Sequence, residues 1–183
     1  MKYNSLIHHR RSIRLKGYDY SKAGAYFITI CCEDRVPRFG KIIADEMILN
    51  QSGTIAYKEW IKLADRFPNF ELDVFQIMPN HMHGIIVLSN LTTVGATLAV
   101  ARKEDPVNMA TARAAPTIPD IIGAYKSIVS NECLRLFKSQ NKIMGKLWQR
   151  NYYEHIIRNE RAYQNISNYI INNPKKWNED RFY

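Results

Sequence analysis

Two histidines one residue apart, His81 and His83, stand in the run Met78-Pro79-Asn80-His81-Met82-His83-Gly84-Ile85-Ile86-Val87-Leu88. The apolar, β-branched residues that follow have the composition of a strand, and side chains alternate between the two faces of a strand. His81 and His83 therefore leave one face and Met82 the other. Neutral imidazole is the commonest nitrogen ligand of metals in proteins, so such a pair can grip a divalent ion where one or two further ligands converge on it. Without those ligands the pair is two half-buried histidines at a sheet edge, and the motif alone leaves both readings open.

A second set of reactive side chains lies near the other end of the chain. Asn159-Glu160 reads as the start of a helix that Pro174 ends. In that helix Tyr169 and Asn173 are four residues apart and share a face, with Ala162 and Ile166 on the same stripe. Tyr163, six residues before Tyr169, stands about 120° round the helix and is expected to pack. His155 alternates with Tyr153 and Ile157 on a short expected strand over 153–158; a hydrogen-bonded structural histidine is its expected role, a metal ligand the alternative. Trp148, Tyr152 and Tyr153 read as buried aromatics before that strand, with stacking on exposed bases as their functional alternative.

The elements that must position these groups alternate between strand and helix. Residues 26–32, rich in aromatic and β-branched side chains, predict a strand. Asn50 or Ser52 caps an expected helix running to about residue 66, with Ile55, Trp60, Ile61 and Leu63 as its apolar stripe and Pro68 as its stop. Two strands, about 71–78 and 81–88, flank a tight Pro79-Asn80 turn. A second helix is expected over about 119–138, with Ile121, Ile122, Tyr125, Ile128, Val129, Cys133, Leu134 and Phe137 at helical spacing and Lys126, Arg135 and Lys138 in water. Between them, residues 91–116 lack periodicity and predict a mobile surface insertion, so the whole of 1–183 reads as one α+β domain.

Composition narrows the function classes. With 183 residues and 46% hydrophobic content the chain can bury a core of its own. Its 26 Lys+Arg against 17 Asp+Glu give a formal net charge of +9, which favours a polyanion, nucleic acid foremost, through counterion release. No apolar run reaches the roughly 20 residues of a membrane span, and the basic first residues lack the apolar segment of a secretory signal, so a cytoplasmic protein is expected. Cys31, Cys32 and Cys133 make a poor disulfide framework and no Cys-x-x-Cys is present; all three are expected as small core hydrophobes. Arg10, Arg11, Arg14 and Lys16, with Lys142, Lys146 and Arg150, are candidate phosphate contacts.

The histidine run, the segment Leu147-Trp148-Gln149-Arg150-Asn151-Tyr152-Tyr153-Glu154-His155-Ile156-Ile157-Arg158-Asn159-Glu160 and the segment Asn168-Tyr169-Ile170-Ile171-Asn172-Asn173-Pro174 occur in that order. Together they resemble the single-tyrosine HUH transposases, and within these the REP-associated tyrosine transposases of the small insertion-sequence type. The resemblance spans residues 17–177. It implies a ferredoxin-like antiparallel sheet flanked by helices, with the histidine pair on a central strand and the nucleophile on a C-terminal helix. By position, Tyr169 matches the nucleophilic tyrosine, His81 and His83 match the metal-binding pair, and Asn173 stands where the family places a third, polar ligand.

The implied activity is cleavage and rejoining of single-stranded DNA at hairpins through a 5′-phosphotyrosine intermediate, with Mg²⁺ or Mn²⁺ held by His81, His83 and Asn173. Such an ion polarises an anionic phosphodiester that otherwise repels a nucleophile. The covalent link conserves bond energy, in keeping with the lack of a Gly-x-x-x-x-Gly-Lys phosphate loop. The family contains monomers and homodimers. Two other classes remain open: a hairpin DNA- or RNA-binding regulator that keeps the fold without cutting, and a metal-dependent hydrolase that uses water in place of the tyrosine.

Overall fold

The computed structural model describes residues 23–89 and 116–180. Arg10, Arg11, Arg14 and Lys16, and the expected insertion apart from Pro116, lie outside the described residues.

Strand β1, Gly24–Cys31, sends Tyr26, Ile28 and Ile30 to one side, each fully buried, and Phe27 and Thr29 to the other. It pairs antiparallel on one edge with β5, His81–Leu88, and on the other with β6, Tyr153–Ile157. Strand β4, Phe70–Ile77, completes the sheet against β5, with a register shift between Leu72 and Phe75, and the strand order is β4-β5-β1-β6. Taken in chain order with the intervening helices, this is the β-α-β-β-α-β arrangement of a ferredoxin-like sheet, as expected. The histidine strand is interior, flanked on both sides, so the alternative of a half-buried pair on a sheet edge fails.

One face of the sheet carries the larger core. Helix α1, Gln51–Ile61, and α3, Ile118–Ser139, bring Ala56, Trp60, Ile121, Ile122, Tyr125 and Val129 onto Tyr26, Ile28, Met82 and Ile86. Gly84 of β5 accommodates this contact: a Cβ there would lie 2.8 Å from Cζ2 of Trp60. Asn50 caps α1 by accepting from the Gly53 amide, and Thr117 and Asp120 form a capping box on α3. Helix α4, Glu160–Asn172, lies on the other face, where Ile170, Ile166 and Tyr163 pack on Phe27, Ile85 and Val74. That is the face of His81 and His83.

Several expectations need correction. The helix expected over 50–66 is two helices: α1 ends at Ile61 and a single turn, α2, follows at Leu63–Arg66. Ile61 is 39% exposed because it lies about 100° round the helix from Trp60, off the buried line of Ala56, Trp60 and Leu63. Leu134 is likewise off the line of Val129 and Cys133, and 38% exposed. Lys126 is half-buried rather than wet, and Nζ donates to the carbonyls of Gln149 and Arg150 at 2.7 and 3.0 Å.

A further hairpin, β2 at Gly40–Ile43 and β3 at Glu46–Leu49, has no counterpart in the sequence reading. Its two-residue turn puts Ala44 and Asp45 at φ of 49° and 63°, the backbone of a type I′ turn without the Asn-Gly pair that announces one. None of the three cysteines forms a disulfide among the described residues; Cys32 and Cys133 are buried, Cys31 partly so, and burial raises the Cys32 and Cys133 thiols above their ordinary range. Among the described residues no helix is long and apolar enough to cross a membrane.

Candidate active site

His81 and His83 are both 0% exposed, and each is held by its Nδ1. Asn80 donates Nδ2 to the Arg35 carbonyl at 3.1 Å, which turns its Oδ1 toward His81 Nδ1 at 2.8 Å. An amide oxygen only accepts, so Nδ1 of His81 carries a proton, and when the ring is neutral Nε2 is the nitrogen with the free electron pair. Across the β1–β5 pairing, where Thr29 lies opposite His83, Oγ1 of Thr29 is 2.8 Å from Nδ1 of His83. Both rings thus present Nε2 inward, and the two nitrogens are 3.0 Å apart.

Partners of this kind on the far ring nitrogen fix tautomer and orientation in metal-binding histidines. The spacing fits as well, because octahedral bonds of about 2.1 Å set neighbouring ligands about 3.0 Å apart. Flat rings bracket the pair: Phe27 stacks on His83 with centroids 5.4 Å apart, and Trp177 on His81 at 6.0 Å.

Helix α4 brings Tyr169 to the same place. Its hydroxyl is 3.1 Å from Nε2 of His83, and its ring stands edge-on to Phe27 with centroids 6.2 Å apart. The residue is 41% exposed, so the hydroxyl is inside the cluster while the ring keeps a solvent side. The helix is seated by its Asn159 cap and by Tyr163, whose hydroxyl donates to both carboxylate oxygens of Asp73 at 3.0 and 2.9 Å. That hydrogen bond, aided by burial, raises the Tyr163 phenol above its ordinary pKa. Tyr163 packs, as expected, and anchors α4 to β4.

Asn173 caps α4 and is 2% exposed. Its Nδ2 donates to Oδ2 of Asp180 at 2.8 Å, while its Oδ1 is buried and has no hydrogen-bond partner. Oδ2 of Asp180 in turn lies 4.0 Å from Nε2 of His81. One ligand atom from each of His81, His83 and Asp180 falls within 4.8 Å of the others. The facing imidazoles and the carboxylate form a group of nitrogen and oxygen donors that could hold a metal ion, and Asn173, with its orphaned amide oxygen, adjoins it through Asp180.

The sequence reading had no signal for Asp180. It lies past Pro174, beyond the 3₁₀ run Pro174–Glu179, seven residues from Asn173, where helical spacing says nothing. Thr29 also escaped notice, since only strand register pairs it with His83. His155, by contrast, is opposite Phe27 on the site's face, yet it is exposed and makes no hydrogen bond among the described residues, so neither role foreseen for it is filled. Trp148 is buried, with Nε1 donating to the Lys126 carbonyl, and Tyr153 is 42% exposed, edge-on to Phe27.

Of two open grooves among the described residues, the first includes Tyr169 and Asn173 and the second holds none of the site residues. The first, of about 270 Å³, runs along Asn165, Asn168, Tyr169, Asn172, Asn173 and Lys176. The second, of about 390 Å³, includes Lys126, Lys146, Arg150, Ser127, Ser130 and Trp148. Burial, with Lys146 nearby, lowers the Lys126 pKa. Of the other candidate phosphate contacts, Lys146 pairs with Glu33 at 2.6 Å, and Lys142 bonds Gln140 and is not among the groove's lining.

No family model matches the chain. An uncharacterised Haemophilus influenzae protein is 41% identical over 182 residues, covering 100% of this chain and 97% of its own, and the two belong to one family. A second Haemophilus influenzae protein, assigned by name to the REP-associated tyrosine transposases, is 26% identical over 160 residues, 86% of this chain and 74% of that one. The chain is a relative of the REP-associated tyrosine transposases. A solved REP-associated tyrosine transposase bound to a REP hairpin has the same fold, with a TM-score of 0.55 and 21% identity over 90% of this chain and 74% of that one.

Proposed function

We propose that this protein is a metal-dependent single-stranded DNA endonuclease and strand transferase, a transposase whose nucleophile is Tyr169. The observation that carries this reading is the 3.1 Å approach of the Tyr169 hydroxyl to His83 Nε2, one of two inward-facing imidazole nitrogens. A hydroxyl at that distance from His83 Nε2 would lie beside an ion that the histidine pair held. His81, His83 and the buried Oδ1 of Asn173 would hold Mg²⁺ or Mn²⁺, which when bound polarises the scissile phosphate and offsets its developing charge.

The residues of the chain do the rest. Phe27 and the body of α4 keep the Tyr169 ring fixed, so the oxygen is presented from one direction. Tyr169 oxygen attacks phosphorus and loses its proton; the bond from phosphorus to the 3′ oxygen breaks, and that oxygen takes up a proton as a free 3′-hydroxyl. The 5′ phosphate stays on Tyr169 until another 3′-hydroxyl reverses the exchange, so no high-energy cofactor is consumed. The solvent side of Tyr169 opens on the asparagine-lined groove, through which a strand can reach the hydroxyl. A formal charge of +9 supports DNA as partner. The hairpin carried by the solved relative supports a hairpin-bearing strand.

The test is a denaturing-gel search for a covalent protein–DNA adduct, with Mn²⁺ and labelled single strands tiled across the flanks of the gene. Wild type should form an adduct and Tyr169→Phe should not, while both bind the same strand. Binding without cutting by either protein would replace this reading with a hairpin-binding regulator, and cutting by both without an adduct would replace it with a water-using hydrolase.

A further inference from the structure

The resemblance assigns two histidines and a polar residue on the tyrosine helix to the ion, and leaves the segment after Pro174 without a role. We infer that Asp180, from that segment, is an additional and anionic ligand of the same ion, and that Asn173 is also its positioning residue. The inference rests on the metal reading above.

Three observations carry it. The side chain of Asp180 is 1% exposed, and its Oδ2 is 4.0 Å from Nε2 of His81, with His83 in the same 4.8 Å cluster. A carboxylate oxygen that shares a cluster with two imidazole nitrogens offers a divalent cation the anionic oxygen that the histidines lack. Second, Asn173 donates Nδ2 to this carboxylate, which directs the oxygen and leaves Oδ1 of the same amide buried with no hydrogen-bond partner. One amide thus both holds the carboxylate and offers an oxygen of its own. Third, Trp177, three residues before Asp180, stacks on His81 with an interplanar angle of 27°, which fixes the segment against the ring that Asp180 approaches.

The chemical consequence concerns affinity and metal choice. Two imidazoles and an amide are neutral and leave the full ionic charge to water and phosphate. A carboxylate removes one unit of that charge within the protein, and imidazole–carboxylate sets take Mn²⁺ more readily than Mg²⁺. Asp180 therefore makes the site competent to bind Mn²⁺ before DNA arrives.

The test is titration of Mn²⁺ into the DNA-free protein, followed by the loss of the free-ion electron paramagnetic resonance signal, for wild type, Asp180→Asn, Asp180→Ala and His81→Ala. Wild type should bind one ion, both Asp180 variants at least about tenfold more weakly, and His81→Ala not measurably. Asp180 variants within twofold of wild type would overturn the inference while leaving the metal site standing. No binding by wild type would overturn the metal reading beneath it. Because a variant at a buried position can misfold, wild type grown with ¹³C-carboxyl aspartate provides a second readout. Pulsed resonance of its bound Mn²⁺ should show couplings from two imidazole nitrogens and from one carboxylate carbon, and nitrogen couplings without the carbon would reject Asp180 as a ligand.

Discussion

Oγ1 of Thr29 and Nδ1 of His83 meet at 2.8 Å across two paired strands, both side chains buried to within 1% of full exclusion from solvent. Nothing adjacent in sequence supplies that bond. Thr29→Val keeps the shape and removes the oxygen, so Nδ1 of a buried ring is left without its partner. A loss of about 1–3 kcal/mol in stability is expected from the unmet group, and a fall of about 10–100-fold in Mn²⁺ affinity from the freed ring. Urea denaturation and metal titration of the same variant read the two effects; unchanged metal affinity would mean that ring orientation is set elsewhere.

Gly84 separates the metal face of β5 from the large core. A methyl group there would lie 2.8 Å from Cζ2 of Trp60 and 3.3 Å from Cβ of Phe75, in a region already packed. Gly84→Ala should cost about 1–3 kcal/mol by overpacking, read as a lower urea midpoint. Since His83 is its chain neighbour, weaker Mn²⁺ binding should accompany that loss.

The Tyr163–Asp73 contact has a pH signature. The hydrogen bond raises the folded-state pKa of the phenol above the unfolded value of about 10. The protonated form is therefore the one the fold favours, and its contribution is complete below about pH 10 and lost as pH rises through the folded pKa. Wild type should lose stability relative to Tyr163→Phe over that alkaline range, whereas at pH 7 the variant should be the weaker by about 1 kcal/mol. Urea midpoints of the two proteins from pH 7 to 11 measure the difference, and parallel curves would refute it.

Ala44 and Asp45 occupy left-handed backbone at φ of 49° and 63°. Ala44→Asn combined with Asp45→Gly installs residues that adopt this turn readily. A gain of about 1 kcal/mol is expected, read as a higher urea midpoint at unchanged slope.

How the protein could be read differs from element to element. The alternation of His81, Met82 and His83, the apolar spacing of α3, and the placing of Tyr169 and Asn173 one turn apart on a helix between Asn159 and Pro174 are local facts. Periods of two and 3.6 residues express themselves within a few positions, so they are written directly in the chain. The strand order follows from these elements and their resemblance to a known arrangement. The β2–β3 hairpin was hidden because its turn residues are not the ones that mark such a turn. The break at Lys62 lies inside a stretch whose composition continues the helix.

Tertiary structure alone decided which atoms meet. That Asn80 and Thr29 hold the outer nitrogens of two rings, that Nε2 of each faces the other at 3.0 Å, and that Asp180 reaches the cluster from beyond Pro174 are contacts fixed by strand register and by the path of the last segment. Hydrogen bonds and ligand sets depend on ångström distances between residues as far apart as Thr29 and His83, or His81 and Asp180, and no local period encodes those distances. The residue types announced the chemistry; the packing of α4 and the chain beyond it on the open face of the sheet selected its members.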